Sequence, residues 1–522
     1  MLNEMFDTVL DYEKQNNVKV DLILVCGDCQ TIRHQDDLKC LAVPNRFKRL
    51  GDFHEYYSGK KRVPKLTIFV GGNHEASNYL MTLPYGGWVC DNFYYLGYAG
   101  VINYRGMRIA GVSGIYKYHD CNRGHYETMP LDDQSVRSIY HSRRLEIFRL
   151  QLLSNLRLKS HPIDIFLSHD WPARVYDHGD VQQLLRFKPI FRSDIESRNG
   201  LGNPMTESLL YELKPRRWFA AHLHCRFYAK VEHGARKSNV NQPANRDEAP
   251  SNHCTEFLSL SKIEKGRRFV EFIDIIPLRN ATTRDHPITE EGSLSTGKPD
   301  ANPDGREVDD SSEEHNIFYD AEWLTILKKT TALEANSSLD PTFLSSDKAF
   351  QEFRPSDEEI QKTVDLMEKT GGMLIKRNFR MTEPVIYNRE DGSPPSKDTN
   401  RYEYFPNPQN EELCSRLEFV SRLHQACEDS KSVRNERIDS FPKNQRRDRF
   451  SNNPRARGRY NYDRASTSHH TNRGGRHVTT EEAQTTHPGR DTGVHTNPNK
   501  KMAFNLDEEG CLPFYVDRKG EI

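Results

Sequence analysis

Short apolar runs separated by polar punctuation fill the first half of the chain. Leu2, Met5, Phe6, Val9 and Leu10 recur at helical spacing, so residues 2–10 predict an amphipathic helix. "VDLILVCGD" (20–28) then reads as a buried strand ending in a turn, and "KLTIFVGGNHE" (65–75), "IDIFLSHDWP" (163–172) and "RWFAAHLHC" (217–225) repeat the form. Helical spacing returns between them, as in "SRRLEIFRLQLLSNLRL" (142–158). "TEFLSLSKIEKGRRFVEFIDIIP" (255–277) predicts a closing hairpin with Gly266 at its turn. Strands alternating with helices predict an α/β fold, a two-sheet α/β sandwich flanked by helices, over residues 1–280.

The pattern then thins. Residues 281–315, rich in Asn, Thr, Gly, Pro and acid, predict a flexible linker. Residues 316–428 regain aromatic and helical patterning in "IFYDAEWLTIL", "DEEIQKTVDLMEKT" and "NEELCSRLEFVSRLHQACE", and predict a smaller, mostly helical region. Residues 429–522 predict a disordered basic tail. Between Lys431 and Arg476, 13 Lys and Arg face 4 acids, with Phe441, Phe450, Tyr460 and Tyr462 interleaved. Such a stretch is either a solvated tail or a non-specific RNA-binding one, its arginines on phosphates and its aromatics on bases.

Composition agrees with this division. The 522 residues carry 74 Lys and Arg against 75 Asp and Glu, and only 35% are hydrophobic. With a mean hydropathy of −0.82 the chain is too polar to be folded end to end. No apolar run approaches the ~20 residues of a membrane helix, and Met1–Met5 lack the basic-then-apolar pattern of a secretory signal. Ten cysteines in a chain this long make no disulfide scaffold, and a reducing compartment is the default. Cys26 and Cys29 in "CGDC", and Cys225 after "HLH", read as packing residues because no second C-x-x-C completes a zinc site.

Each of the four strands runs straight into metal-ligand chemistry. Asp28 follows the first, Asn73 and His74 the second, His169 the third, and His222 and His224 the fourth. Taken as strand, "HLH" sends both imidazoles to one face, because side chains alternate. Strand ends are rigid, and their loops can aim several side chains at one locus. Carboxylate and amide oxygens mixed with imidazoles suit divalent manganese, iron or zinc, one or two ions per chain. A carboxylate can bridge two such ions, the arrangement used for phosphoryl chemistry.

The order resembles the calcineurin-like metallophosphoesterases, with "GD" at Gly27–Asp28, "GNHE" at Gly72–Glu75, His169, and "AHLH" at Ala221–His224, where alanine replaces the usual glycine. The resemblance implies that Asp28 bridges two ions. Asn73, His169 and His222 would complete one site, His224 would belong to the other, and His74 would be the general acid or leaving-group stabiliser. "LPYGGWV", "YYLGYAGV", "RIAGVSGIYK", "RGHYE", "VRSIYH", "PIDIFLSHDWP" and the start of the later region, "FYDAEWLTIL", look more narrowly like the lariat debranching enzyme family. That family hydrolyses the 2′,5′-phosphodiester at the branch point of excised introns. The resemblance implies a metal-dependent hydrolase in mRNA splicing and processing, with branched lariat RNA as its partner, no DNA and no membrane. Its location would be nuclear, and Arg/Lys clusters at Lys443–Arg449 and Arg455–Arg459 are compatible with import. The stretch from about Ser113 to Arg143 matches the family's lariat recognition loop. Tyr116, Tyr118, His119, Arg123, His125, Tyr126, Arg137, Tyr140, His141 and Arg143 would supply stacking planes and phosphate donors to splayed RNA.

One motif of the family is absent, the early acid- or Cys-x-His. The helix at 2–10 and the strand at 20–26 read as the second half of a βαβ unit, which wants a preceding strand. A truncated gene model is the expectation, and a short, inactive protein is the alternative. Two further function classes stand beside the leading one: a metallophosphoesterase acting on another phosphoester, and a non-catalytic RNA-binding splicing factor.

Overall fold

The computed structural model describes residues 1–153, 161–198, 200–234, 254–264, 266–277, 316–335, 338–383, 406–421 and the backbone of 513–517. Two sheets carry the fold. The first runs in the order β11 (Phe272–Asp274), β13 (Pro513–Asp517), β1 (Val20–Val25), β2 (Thr67–Phe69), β4 (Phe93–Tyr95), β3 (Gly87–Cys90). The second runs β12 (Ile317–Tyr319), β5 (Ala99–Tyr104), β6 (Met107–Val112), β7 (Ile165–Ser168), β8 (Arg217–Ala220), β10 (Cys254–Ser259), β9 (Phe227–Glu232). β1, β2 and β4 pair in parallel, as do β6, β7, β8 and β10.

Strand alternation explains why these runs are apolar throughout. Leu22, Leu24 and Ile68 point one way and meet Ile109, Ile165, Leu167 and Phe219 of the second sheet. Ile23, Val25 and Phe69 point the other way, onto Leu2, Met5, Phe6 and Val9 of the helix Leu2–Asn16. On the far side, Ala110, Phe166 and Trp218 pack with the helices Arg144–Gln151 and Pro204–Leu213. The central strands of both sheets are therefore buried on both faces, while β9 keeps one face to solvent, and the layers are the expected α/β sandwich.

Several expectations change. The first helix extends to Asn16, where Asn17 takes a left-handed cap (φ 51°), and Leu10 lies on its solvent side. The hairpin does not form, because β10 belongs to the second sheet and β11 to the first. The reason lies between them: Ile263 and Phe269 pack partly into the inter-sheet core and Val270 under the first sheet, which draws the segment across rather than back. The flank of β1 where another strand was expected carries β13, antiparallel and drawn from the stretch expected to be disordered tail. The remainder of that tail and the linker at 281–315 lie outside the described residues.

Residue 280 is not a packing boundary for the described part of 316–421. β12 adds to the edge of the second sheet, and Trp323, Leu324, Ile326 and Leu327 share a core with Leu145 and Phe148. Buried charges tie the junction. Arg108 forks onto Asp320 (Nε to Oδ2 2.8 Å, Nη2 to Oδ1 2.8 Å) and reaches Glu322 at 2.8 Å. Arg149 donates to Glu334 at 2.6 Å, and Tyr85 donates to the same carboxylate at 2.7 Å. Compact units divide instead at Glu436, and the unit Glu436–Leu506 lies outside the described residues. No helix among the described residues is long and apolar enough to cross a membrane.

Candidate metal centre

Loops leaving β1, β2, β7 and β8 supply the chemistry-bearing residues. After β1 the backbone turns sharply through Gly27 (φ 102°) and Asp28 (φ 59°). The turn leaves no room for side chains: a Cβ on Gly72 would lie 2.1 Å from Asp28 Oδ1, and one on Gly27 would lie 2.5 Å from His169 Nδ1. These two glycines let the β1 and β2 loops close onto each other.

The close approach gathers acceptors. The His74 N–H donates to Asp28 Oδ1 at 2.8 Å. His169 Nδ1 lies 2.6 Å from the Cys26 carbonyl, which can only accept, so that nitrogen carries the proton and Nε2 presents a lone pair. That Nε2 lies 3.0 Å from Asn73 Oδ1 and 3.4 Å from Asp28 Oδ2. Asn73 Nδ2 points at His74 Nε2 (3.0 Å), which assigns the amide so that its oxygen faces His169. Three lone-pair atoms thus converge, and buried Asp28 Oδ2 has no hydrogen-bond donor. A cation satisfies this geometry, and the donor set fits the divalent ions used by calcineurin-like phosphoesterases.

The histidines from β8 complete the group by a different route from the one expected. β8 ends at Ala220, and His222 (φ 62°) and His224 (φ 52°) sit in a left-handed loop, so strand alternation does not align them. The His169 and His222 rings are 5.0 Å apart. Loss of solvent lowers the His222 pKa to about 3, with His169 adding to the effect and Asp28 opposing it. Loss of solvent likewise lowers His224 to about 4, against the pull of Asp28. Both imidazoles are therefore neutral near pH 7, the form that ligates a metal. Burial acts to raise the Asp28 pKa, but His169 and His74 outweigh it and keep the carboxylate ionised. The geometry brings Asp28, Asn73, His74, His169 and His222 together, and His224 shares their electrostatic field.

Sequence reasoning missed Glu75, the last letter of "GNHE". Its buried carboxylate accepts from the N–H groups of Cys29 (2.9 Å), Thr31 (3.2 Å) and Gly72 (3.2 Å), tying the β1 and β2 loops together. Burial, then Asp28, raises its pKa to about 8. It also missed Asp170, which accepts from Tyr116 N at 3.2 Å and anchors the start of the aromatic loop. Lys117 was missed as well; it is exposed, and its charge acts on His222 and Asp170. Adjacency to a strand-end ligand was the available signal for the first two. Cys26, Cys29 and Cys225 are buried, as packing residues would be.

The loop residues divide into two sets. Tyr118 is 80% exposed, and His119 and Arg137 are exposed, with Tyr116, Arg123, Tyr126 and Tyr140 half-buried. Arg123 stacks over Tyr126 with its Cζ 3.8 Å from the ring centroid. Arg143 is a correction: it is fully buried and holds Glu127 (2.6 Å) and the Asp120 carbonyl (2.9 Å), so it builds the loop and offers nothing to RNA. His141 bonds Asp120 at 2.7 Å, and His125 bonds Glu146 at 3.2 Å while stacking on Tyr98. Their side chains too are mostly enclosed.

Two other His/acid groups have metal-like spacing, His119–Asp120–His141 and His34–Asp37–Glu383. Each already contains a guanidinium. Arg123 lies 3.3 Å from Asp120, and Arg33 lies 2.9 Å from Asp37 and 3.1 Å from Glu383. These are ion-pair networks that a further cation would oppose.

Comparison with known proteins follows the same lines. Residues 2–226 match the model of the calcineurin-like phosphoesterase family, and residues 252–421 match that of the lariat debranching enzyme C-terminal domain. The lariat debranching enzyme of Gallus gallus is 38% identical over 440 residues, covering 83% of this chain and 72% of the relative. That of Drosophila pseudoobscura pseudoobscura is 39% identical over 444 residues, covering 80% and 74%. That of Homo sapiens is 42% identical over 332 residues, covering 64% and 52%.

Proposed function

Because this chain belongs to the lariat debranching enzyme family, we propose that it is a metal-dependent hydrolase of the 2′,5′-phosphodiester at the branch point of lariat RNA. The observation that carries the reading is the convergence of Asp28 Oδ2, Asn73 Oδ1 and His169 Nε2 beneath an aromatic, basic loop. Asp28, Asn73, His169, His222 and His224 would hold one or two divalent ions, with manganese, iron and zinc all suited to this donor set. Such ions lower the pKa of water, making a nucleophile available near neutral pH, and neutralise phosphate charge.

The chain's own residues do the rest. His74 is fixed by its backbone N–H on Asp28 and by Asn73 at its Nε2. In that place it serves the departing 2′-oxygen, by hydrogen bond or proton. Tyr118, His119, Arg123, Tyr126 and Arg137 offer ring faces and cations to unpaired nucleotides around the branch. Lys117 brings a positive charge to the edge of the centre. Excised introns arise in the nucleus, and the reading places the protein there.

The test compares hydrolysis of a 2′,5′-branched RNA, a linear 3′,5′ RNA and a generic phosphatase substrate. Preference for the branched RNA, lost on chelation and restored by divalent metal, is the expected result. Preference for the linear or generic ester would overturn the reading.

A further inference from the structure

The aromatic loop leaves the fold through a narrow neck. Ile115 N donates to the Tyr140 carbonyl at 3.2 Å and Ser142 N donates to the Ile115 carbonyl at 2.9 Å, so the chain leaves and returns side by side. At the root, Gly114 N donates to the Gly71 carbonyl at 2.8 Å and joins the neck to the metal-ligand loops. Beyond the neck, Arg143 holds Glu127 and the Asp120 carbonyl in an internal core. Such a core moves with the loop, so the place of the outer part has to be set from outside it.

That support comes from the later region of the chain. The Leu339 N–H donates to the Asn122 carbonyl at 2.7 Å, and Ser338 pairs antiparallel with Arg123. The Leu339 side chain is buried in the core that also takes Cys121 of the loop. Just after it, Asp340 caps the short helix Pro341–Leu344 by accepting from Thr342 N at 2.8 Å, which fixes the backbone that carries the donor. Asn122 is held on its other side by Arg144, whose Nε donates to Asn122 Oδ1 at 2.7 Å. Arg144 begins the helix Arg144–Gln151, and the later region grips that helix as well: Arg149 donates to Thr330 Oγ1 at 2.8 Å and to Glu334 at 2.6 Å. What this clamp carries is Arg123, whose guanidinium lies over the Tyr126 ring as a cation–aromatic pair. A loop already held in its binding position loses less freedom when a ligand arrives, and so binds it more tightly.

We propose that Leu339 is a positioning residue for RNA recognition: its N–H holds the loop at Asn122–Arg123, so that the later region sets the affinity for branched RNA and leaves the metal-ligand cluster unchanged. The inference rests on the branched-RNA reading above and gives the later region a task in it.

The test uses the full chain. Leu339→Pro removes the N–H, whereas Leu339→Ala keeps it and shortens the same side chain, so the pair separates the hydrogen bond from packing. Binding of labelled branched and linear RNA is followed by fluorescence anisotropy in EDTA, so that no bond is broken. Metal per chain after equilibration with manganese, and turnover of bis(p-nitrophenyl) phosphate, report on the centre alone. Leu339→Pro should weaken branched-RNA binding at least about five-fold, the lower end of what one stacked base contributes, with metal content and small-ester turnover at the wild-type level. Leu339→Ala should bind the RNA like wild type. Because the bond acts through Arg123, adding Leu339→Pro to Arg123→Ala should weaken binding little beyond Arg123→Ala alone. Hydrogen exchange on the wild-type protein tests the same bond without a substitution: the Leu339 amide should exchange slowly, and more slowly once branched RNA is bound. The positioning role alone is overturned by Leu339→Pro binding like wild type, by equal losses in the two Leu339 variants, or by losses additive with Arg123→Ala. Metal or small-ester turnover lost together with RNA binding, or a Leu339 amide that branched RNA does not slow, overturns it too. Wild-type protein that takes up no metal, or binds branched RNA no better than linear RNA, overturns the underlying reading as well.

Discussion

Replacing Gly72 by alanine isolates the metal-ligand cluster from the rest of the fold. Gly72 lies outside the left-handed region, so its backbone accepts an L-residue, but the new Cβ would begin 2.1 Å from Asp28 Oδ1 and 2.5 Å from Asp28 N. Real Cβ contacts stay above 3.0 Å, so the carboxylate has to retreat by about 0.9 Å. Metal–ligand distances tolerate about 0.2 Å. The displacement is several times that margin, and it falls on a carboxylate that would hold the metal. Substitutions that merely support a ligand lower affinity about 10–100-fold, so moving the ligand itself should lower it at least about 100-fold.

Metal per chain after equilibration with manganese or zinc, measured by plasma mass spectrometry, reads this directly. Circular dichroism checks that the fold persists. Gly234→Ala is the control, since nothing lies within 4 Å of its would-be Cβ. Wild-type protein should retain metal, Gly72→Ala should lose it, and Gly234→Ala should match wild type. Equal metal retention by Gly72→Ala and wild type would refute the assignment of Asp28 as a ligand.

Other outcomes follow from the same geometry. His74→Ala should leave metal content nearly intact and lower turnover of branched RNA by about 10²–10⁴, whereas His169→Ala should lower metal occupancy; equal metal loss in both would contradict their roles. Arg108→Ala removes the guanidinium that offsets the buried Asp320 and Glu322 charges, and should destabilise the protein by about 3–5 kcal/mol, read as a lower denaturation midpoint. Burial acts to raise the Asp320 pKa, but Arg108 outweighs it and holds the carboxyl below its usual value. The resulting stability is present above the unfolded pKa, about 4, and disappears as pH falls through the folded value. The stability gap between wild type and Asp320→Asn should therefore hold from about pH 7 down to about pH 5 and narrow as the pH falls below about 4; a constant gap would exclude the ion pair as its source.

The strands and the side chains gathered at their ends were legible for one reason. A parallel strand buried on both faces is an uninterrupted apolar run, and its end is marked by the first glycine or polar residue. At Gly27–Asp28, Gly72–Asn73 and Ser168–His169 that mark is also the chemistry. Contacts decided across long sequence separations were not legible. Arg143 looked like a phosphate donor, but nothing local shows that Glu127 and the Asp120 carbonyl enclose it. The 255–277 run has hairpin spacing, yet which sheet each half joins depends on cores built from distant segments. The join of 316–335 to the second sheet rests on Arg108 and Arg149, more than 180 residues from Thr330 and Glu334 in the case of Arg149. "HLH" does not lie in a strand as its pattern suggested, because the strand ends at Ala220, two residues before His222.

That last difference bears on how the centre works. A strand would fix His222 and His224 in register with the sheet and at the spacing of its pleat. The left-handed loop instead holds them by two residues at positive φ, a conformation uncommon for residues other than glycine. Such backbone persists when the surroundings over-determine it. Here the Ala221 N–H donates to the His169 carbonyl at 3.0 Å, and the Trp171 indole donates to the Ala221 carbonyl at 2.9 Å. The loops after β7 and β8 are thus stapled together by backbone and by Trp171, as Glu75 staples those after β1 and β2. The ligand positions depend on these two staples, and the RNA-facing side chains depend on neither. Substituting Tyr118 or Arg137 should therefore change which RNA binds without changing the ligand geometry, whereas substituting Trp171 should disturb His169, His222 and His224, and substituting Glu75 should disturb Asp28, Asn73 and His74.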